Sequence, residues 1–146
     1  MDAIQKAIKI IMHCEGLRLE AYKPIPSDPW TIGYGATGPD IKQGTVWTKE
    51  KAEEDLKKRV TVLYTRIHEV LPSLGVNEYA ALVSFCYNVG FGAFMRSTMF
   101  DLLVQNKKPK KVIAQEFNKY IYAGGVKIQG LINRRKQEQD LFLKED

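Results

Sequence analysis

Glu15 closes a mostly apolar stretch and is followed at once by Gly16. Apolar residues recur at Ile4, Ile8, Ile11 and Met12, with Lys6, Lys9 and His13 off that stripe, which predicts a helix over 2–14. Asp2 is a natural N-cap and Gly16 a natural stop. A carboxyl at the end of such a helix, walled by Met12, Cys14, Leu17 and Leu19, suits general acid work on a glycosidic bond. That chemistry needs a carboxyl that holds its proton near neutral pH, and partial burial favours this. Spacing alone does not separate this from an ordinary surface glutamate at a helix end, which is the commoner case.

Residues 17–47 must supply whatever faces Glu15. They hold Gly33, Gly35, Gly38 and Gly44 and Pro24, Pro26, Pro29 and Pro39, with short β-rich pieces at Trp30-Thr31-Ile32 and Thr45-Val46-Trp47. This composition predicts a small irregular antiparallel sheet. From Thr48 the period changes: Ala52, Leu56, Val60, Leu63, Ile67 and Val70 step by three or four, predicting one long amphipathic helix that ends before Pro72. Further helices are predicted at about 77–89 with Asn77 at the start, 97–106 after Ser97, 109–121 with Pro109 at its first position, and 130–144. The expected fold is therefore α+β in a single domain. A β-containing lobe (about 15–55) is joined by the long helix to a helical lobe (about 70–146) that also holds the N-terminal helix.

The two cysteines, Cys14 and Cys86, match no metal motif and are expected buried and reduced. His13 and His68 have no partners at ligand spacing, so no metal and no cofactor is expected. No apolar run is long enough to span a membrane, and the first residues lack a signal-peptide core. The net charge of +5 favours anionic partners without choosing among them. Lys107, Lys108, Lys110 and Lys111 form a basic run that reads either as a solvated helix start or as an attraction to an anionic envelope. Trp30, Trp47, Tyr87 and Phe94 read mainly as core.

Three blocks of sequence add to this reading. The first is Glu15-Gly16-Leu17-Arg18-Leu19-Glu20-Ala21-Tyr22 followed by Asp28-Pro29-Trp30-Thr31-Ile32-Gly33-Tyr34-Gly35. The second is Ala81-Leu82-Val83-Ser84-Phe85, Asn88-Val89-Gly90, Phe94 and Ser97-Thr98. The third is Tyr122-Ala123-Gly124-Gly125, Gly130-Leu131 and Arg134-Arg135-Lys136-Gln137-Glu138. In order and spacing they resemble the phage lysozyme family, the T4-type endolysins of glycoside hydrolase family 24, over nearly the whole chain.

The resemblance implies a two-lobed, lysozyme-like fold with a cleft between the lobes. It implies hydrolysis of the β-1,4 bond between N-acetylmuramic acid and N-acetylglucosamine in peptidoglycan. Glu15 matches the proton donor, and Thr31 the residue that helps place water or sugar. Tyr34, Gly35 and Asn88 match cleft lining. The expected partner is the peptidoglycan glycan strand, bound by a monomer without nucleic acid and without stable membrane insertion. The implied setting is accumulation in a host cytoplasm and access to the wall after a separate protein permeabilises the membrane. Absence of an added wall-binding domain would suit a phage of a Gram-negative host.

Two departures matter. The family's second carboxylate falls at Pro24 here, and its frequent histidine at Ala36. Asp28 is the loop carboxylate left to replace the missing base, its direction restricted by Pro29; it reads equally as a turn residue. Asp40 reads as structural. Arg134 and Arg135 are candidates for orienting Glu15 or for structural ion pairs. Loss of the second carboxylate also opens an alternative, a lytic transglycosylase in which the muramic acid's own 6-hydroxyl attacks and a 1,6-anhydro sugar forms. A non-catalytic cationic wall-binding module is the third reading.

Overall fold

The computed structural model describes all 146 residues. Helix α1 (Ala3–Glu15) is fixed at both ends by its own sequence. The Gln5 amide donates to Asp2 Oδ1 at 2.8 Å and the Asp2 amide to Gln5 Oε1 at 3.0 Å, a reciprocal capping box. Gly16, at φ +69, turns the chain off the helix directly after Glu15. Ala3, Ala7 and Ile11 are buried, with Ile4, Ile8 and Met12 packed beside them.

Strands β1 (Arg18–Tyr22) and β2 (Thr31–Gly33) pair antiparallel, Arg18 opposite Gly33 and Tyr22 opposite Thr31, with an irregularity between. Ile32 and Ala36 exchange backbone bonds of 2.9 and 2.8 Å, so Gly33-Tyr34-Gly35 form a tight loop between them. That loop needs φ of +65 and +81 at its two glycines. The segment expected as a strand at Thr45-Val46-Trp47 does lie on β1, through Ala21 N–H to Thr45 C=O at 2.9 Å and Trp47 N–H to Leu19 C=O at 2.8 Å. Only Val46 forms a β-bridge, however, opposite Glu20. Gly44, at φ +89, and the Thr48 cap bracket the segment too closely for a strand to extend.

Helix α2 (Lys49–Val70) follows, with Thr48 Oγ1 accepting from the Lys51 amide at 3.1 Å. It buries Ala52, Leu56, Val60 and Ile67 along one face, packing on β2 at one part of its length and on α1 and α3 at others. Helix α3 (Val76–Val89) is the centre of the helical lobe: residues 79–86 are all buried, and α1, α2 and α7 pack around it. Its cap is Gly75 and not Asn77, which lies buried inside the first turn. Having no capping side chain of its own, α3 takes one from far away. Asp146 accepts from the amides of Val76 (2.7 Å) and Asn77 (2.9 Å).

Helices α4 (Phe91–Met95), α5 (Thr98–Gln105) and α6 (Lys110–Ala114) complete this side. Ser97 caps α5 as its position suggests, accepting from the Phe100 amide at 3.0 Å. The helix expected over 109–121 is shorter. Pro109 is its cap, α6 ends at Ala114, and Gln115–Lys119 tighten into a 3₁₀ turn. That tightening drops Phe117 into the core beside Phe85 and Phe142 and turns the chain into a hairpin. The hairpin, β3 (Tyr122–Ala123) and β4 (Val126–Lys127), turns on Gly124 and Gly125, both at positive φ, as a two-residue type I′ turn requires. Helix α7 (Gln129–Leu143) closes the fold against α3.

Two apolar cores result. The larger joins α1, α2, α3 and the helices that follow; the smaller comprises Ala21, Ile32, Ala36 and Ile41 in the sheet region. Trp47 packs against both. No helix is long and apolar enough to cross a membrane.

Candidate active site

Glu15 is the last residue of α1, so the helix fixes its backbone and the Gly16 turn leaves its side chain free to face the sheet. Its Oε2 accepts from Arg134 Nη1 of α7 at 2.5 Å. The opposite oxygen, Oε1, lies against Gly35: a Cβ at Gly35 would stand 2.8 Å from it. Of the Glu15 side chain 23% remains open to solvent, so a ligand can reach it while one oxygen stays occupied.

Arg134 is almost wholly buried and divides its guanidinium among three partners. Besides Glu15, it donates to the Ser84 carbonyl at 3.0 Å and to Glu138 Oε2 at 3.3 Å. Arg135 turns inward instead. Its Nε lies 2.8 Å from Glu138 Oε1, and its guanidinium carbon sits 5.0 Å from the Phe85 ring centre. Of the two candidate arginines, one therefore holds Glu15 and the other is a core ion-pair partner.

Tyr87 was expected in the core. It is half-buried, and its hydroxyl donates to the Tyr34 carbonyl at 2.5 Å, linking α3 to the loop that carries Gly35. Burial pushes its phenol well above the usual range, and the Glu15 carboxylate adds to this. Both effects favour the protonated phenol, the form that donates this bond. A second tie runs from α2, where Arg59 donates to the Thr37 carbonyl at 3.0 Å while paired with Asp55 at 2.8 Å.

Of the residues expected at the site, the structure brings Glu15, Gly35 and Tyr34 together around these contacts. Thr31 is buried on β2, and its hydroxyl donates to the Pro29 carbonyl at 3.0 Å. With that proton committed, Thr31 Oγ1 can only accept from a further partner. Asn88 is exposed, next to Tyr87 near the end of α3. Asp28 is half-buried in a turn closed by its own amide to the Ile25 carbonyl at 3.0 Å; its carboxylate makes no hydrogen bond or ion pair within the chain. The two cysteines are free thiols; Cys86 is buried as expected, whereas Cys14, in the last turn of α1 beside Glu15, is only half-buried, and desolvation pushes both above the usual thiol range. The contributions that residue reasoning missed are those of Tyr87 and of Ser84 and Glu138 behind Arg134; Ser84 and Glu138 stand inside the second and third sequence blocks, and Tyr87 directly precedes the Asn88-Val89-Gly90 segment.

A cavity of about 440 Å³ lies along α2 and the end of α3. Tyr87 is one of its walls, and Lys58, Arg59 and Arg66 line it. Arg66 stacks over Phe91 at 4.2 Å and has no carboxylate partner.

Residues 12–138 match the Phage lysozyme family. The chain is 41% identical to the endolysin of Bacillus phage PZA over 97% of its own length and 55% of that protein's. It spans about half the length of the Bacillus phage endolysins that it matches. Among solved structures it superposes on the endolysin of Escherichia coli O157:H7 phage FAHEc1 with a TM-score of 0.83 and 32% identity, covering 98% of this chain and 94% of that one. The muramidase domain of SpmX from Asticaccaulis excentricus superposes with a TM-score of 0.84 and 29% identity over 95% of each chain. The endolysins among these relatives belong to phages of both Bacillus and Escherichia coli, so the likeness does not select one class of host. The two-lobed α+β fold and the match over most of the sequence lead to one conclusion: the chain belongs to the phage lysozyme family.

Proposed function

We propose that the protein is an endolysin-type muramidase that hydrolyses the β-1,4 bond between N-acetylmuramic acid and N-acetylglucosamine in bacterial peptidoglycan. The observation that carries this is the Glu15 carboxyl. It ends a helix, is held through one oxygen by a buried arginine, and faces a glycine loop that leaves it accessible. The relatives named endolysin and muramidase support the same reading.

In the proposed reaction Glu15 gives its proton to the glycosidic oxygen as the bond from that oxygen to the muramic acid C1 breaks. The sugar carbon gains oxocarbenium character, and a water oxygen closes on it. Thr31 suits the placing of that water. Its hydroxyl proton is committed to Pro29, so it accepts one water hydrogen and leaves a water lone pair for attack. Asp28, with its carboxylate unengaged, takes the proton that the water releases. Gly35 and Asn88 suit the lining of the sugar site; Tyr34, whose ring is buried in the main core, supports it only through the loop backbone, and the cations around the cavity beside Tyr87 suit an anionic wall polymer. The protein acts as a monomer, without cofactor, on a wall reached after a separate protein opens the membrane.

A second reading is favoured by Pro24, which stands where the family's second carboxylate falls. In a lytic transglycosylase the muramic acid's 6-hydroxyl oxygen attacks C1 and its proton returns to Glu15. Digestion of purified peptidoglycan, read by muropeptide mass, decides between them. Hydrated reducing muramic acid ends, lost in Glu15→Gln and strongly reduced in Asp28→Asn, support hydrolysis with Asp28 as base. Products lighter by one water establish the anhydro sugar and return Asp28 to a turn role. Lysis unchanged in Glu15→Gln overturns both.

A further inference from the structure

Glu138, on α7, is fully buried and gathers more donors than one ion pair needs. Arg135 Nη2 donates to its Oε2 at 3.2 Å, while Arg135 Nε stands 2.8 Å from Oε1 as a charge contact out of hydrogen-bond alignment, so all the donated bonds converge on Oε2. Ser84 Oγ donates to Oε2 at 2.6 Å, and Arg134 Nε points at the same oxygen from 3.3 Å. Arg135 alone would pair this carboxylate. Arg134 is the member that extends beyond the core, handing Nη1 to Glu15 Oε2. Burial pushes the Glu138 carboxyl up and the Arg135 guanidinium down, and their mutual attraction opposes both shifts; ionised or sharing a proton, that pair is neutral as a whole, and Arg134 leaves a net of one positive charge presented to Glu15.

We infer that Glu138 is a positioning residue for Glu15: it anchors the Arg134 fork and, balanced against Arg135, fixes the net charge that the Glu15 carboxyl meets. The inference rests on the reading of Glu15 as the acid. The neighbouring groups do not compete for this role. Cys14 on α1, and Cys86 and Tyr87 on α3, are all pushed towards their neutral forms by burial. Arg59 and Asp55 on α2 neutralise each other. Arg66, also on α2, acts on Cys86 and stacks on Phe91, with no contact to Glu138 or Glu15. Tyr120, the residue that follows the 3₁₀ turn, contributes its carbonyl, 3.4 Å from Arg135 Nη1.

A carboxyl gives up its proton more readily beside more positive charge. Two single variants must therefore act in opposite directions. Glu138→Gln leaves two positive charges near Glu15, and Arg135→Gln leaves none. The test is a carbon-13 NMR titration of the Glu15 carboxyl in wild type, E138Q, R135Q and the double variant, with the pH profile of wall lysis alongside.

The Glu15 midpoint, and the alkaline limb of lysis, are expected to fall by about 0.5–1 pH unit in E138Q and to rise by a similar amount in R135Q. In the double variant they return to near the wild-type value. Midpoints that stay fixed, or move the same way in both single variants, overturn the inference and leave Glu138 a core residue. Should E138Q not fold, R135Q decides: no rise overturns it. The NMR titration reads Glu15 whether or not the protein lyses walls. Absence of Glu15-dependent lysis in wild type would therefore count against the parent reading alone.

Discussion

The Tyr87 hydroxyl on α3 donates to the Tyr34 carbonyl in the glycine loop at 2.5 Å, so the central helix of one lobe is bonded directly to the loop that faces Glu15. Replacing Tyr87 by Phe keeps the ring and removes only this donor, leaving a partly buried carbonyl unpaired. Stability should fall by about 1 kcal/mol, read as a lower urea midpoint with an unchanged slope. Wall lysis should fall several-fold, because the loop is less firmly placed.

A side chain at Gly35 would strain the backbone and press on Glu15. A Cβ would stand 2.8 Å from Glu15 Oε1, and φ is +81. Gly35→Ala should cost about 1–2 kcal/mol through the backbone. It should also lower lysis by about 100-fold or more, because the carboxyl must move. Thermal melts and lysis rates on one preparation check both, and a variant near wild-type activity would show that the loop yields instead.

Arg134→Lys keeps the charge but cannot serve three partners in a fixed fork. The loss of bonds to Ser84 or Glu138 should lower stability by about 1–3 kcal/mol. With Glu15 less well oriented, kcat should fall more than KM rises, which steady-state kinetics on soluble glycan fragments can read.

Asp146 offers a pH test. The amides of Asn77 and Val76 hold its carboxyl below the usual range. A depressed carboxylate stabilises the fold above its unfolded value, and that contribution is lost as pH falls through its folded value. Asp146→Asn should therefore melt below wild type at neutral pH, and the gap should close on acidification below the ordinary carboxylate range. A gap that persists there would mean that the contact is not electrostatic.

What could be read in the sequence was local. Asp2, Thr48 and Ser97 announce their helices because a cap and its target are three residues apart. The helix end at Glu15 was legible because Gly16 follows it directly. The grip on Glu15 was less so: Arg134 is 119 residues away, and two adjacent arginines on a helix give no sign of which turns to Glu15. Tyr87 read as core since most of an aromatic ring is core-like; its hydroxyl found a partner only once two lobes were assembled. The break after Ala114 was hidden for a similar reason, because it is the pull of Phe117 into a distant aromatic cluster that tightens the turn.

The cap that α3 takes from Asp146 sets an order on synthesis. The first turn of α3 leaves the ribosome 70 residues before the carboxylate that completes it. During that interval the central helix, which carries Ser84 and Tyr87, has an open first turn. The sheet lobe, whose contacts lie within a short span, can form early, while the helical lobe stays an unfinished scaffold until the last helix docks. The arginine that grips Glu15 arrives on that same helix, so a partly made chain holds the Glu15 carboxyl without its clamp.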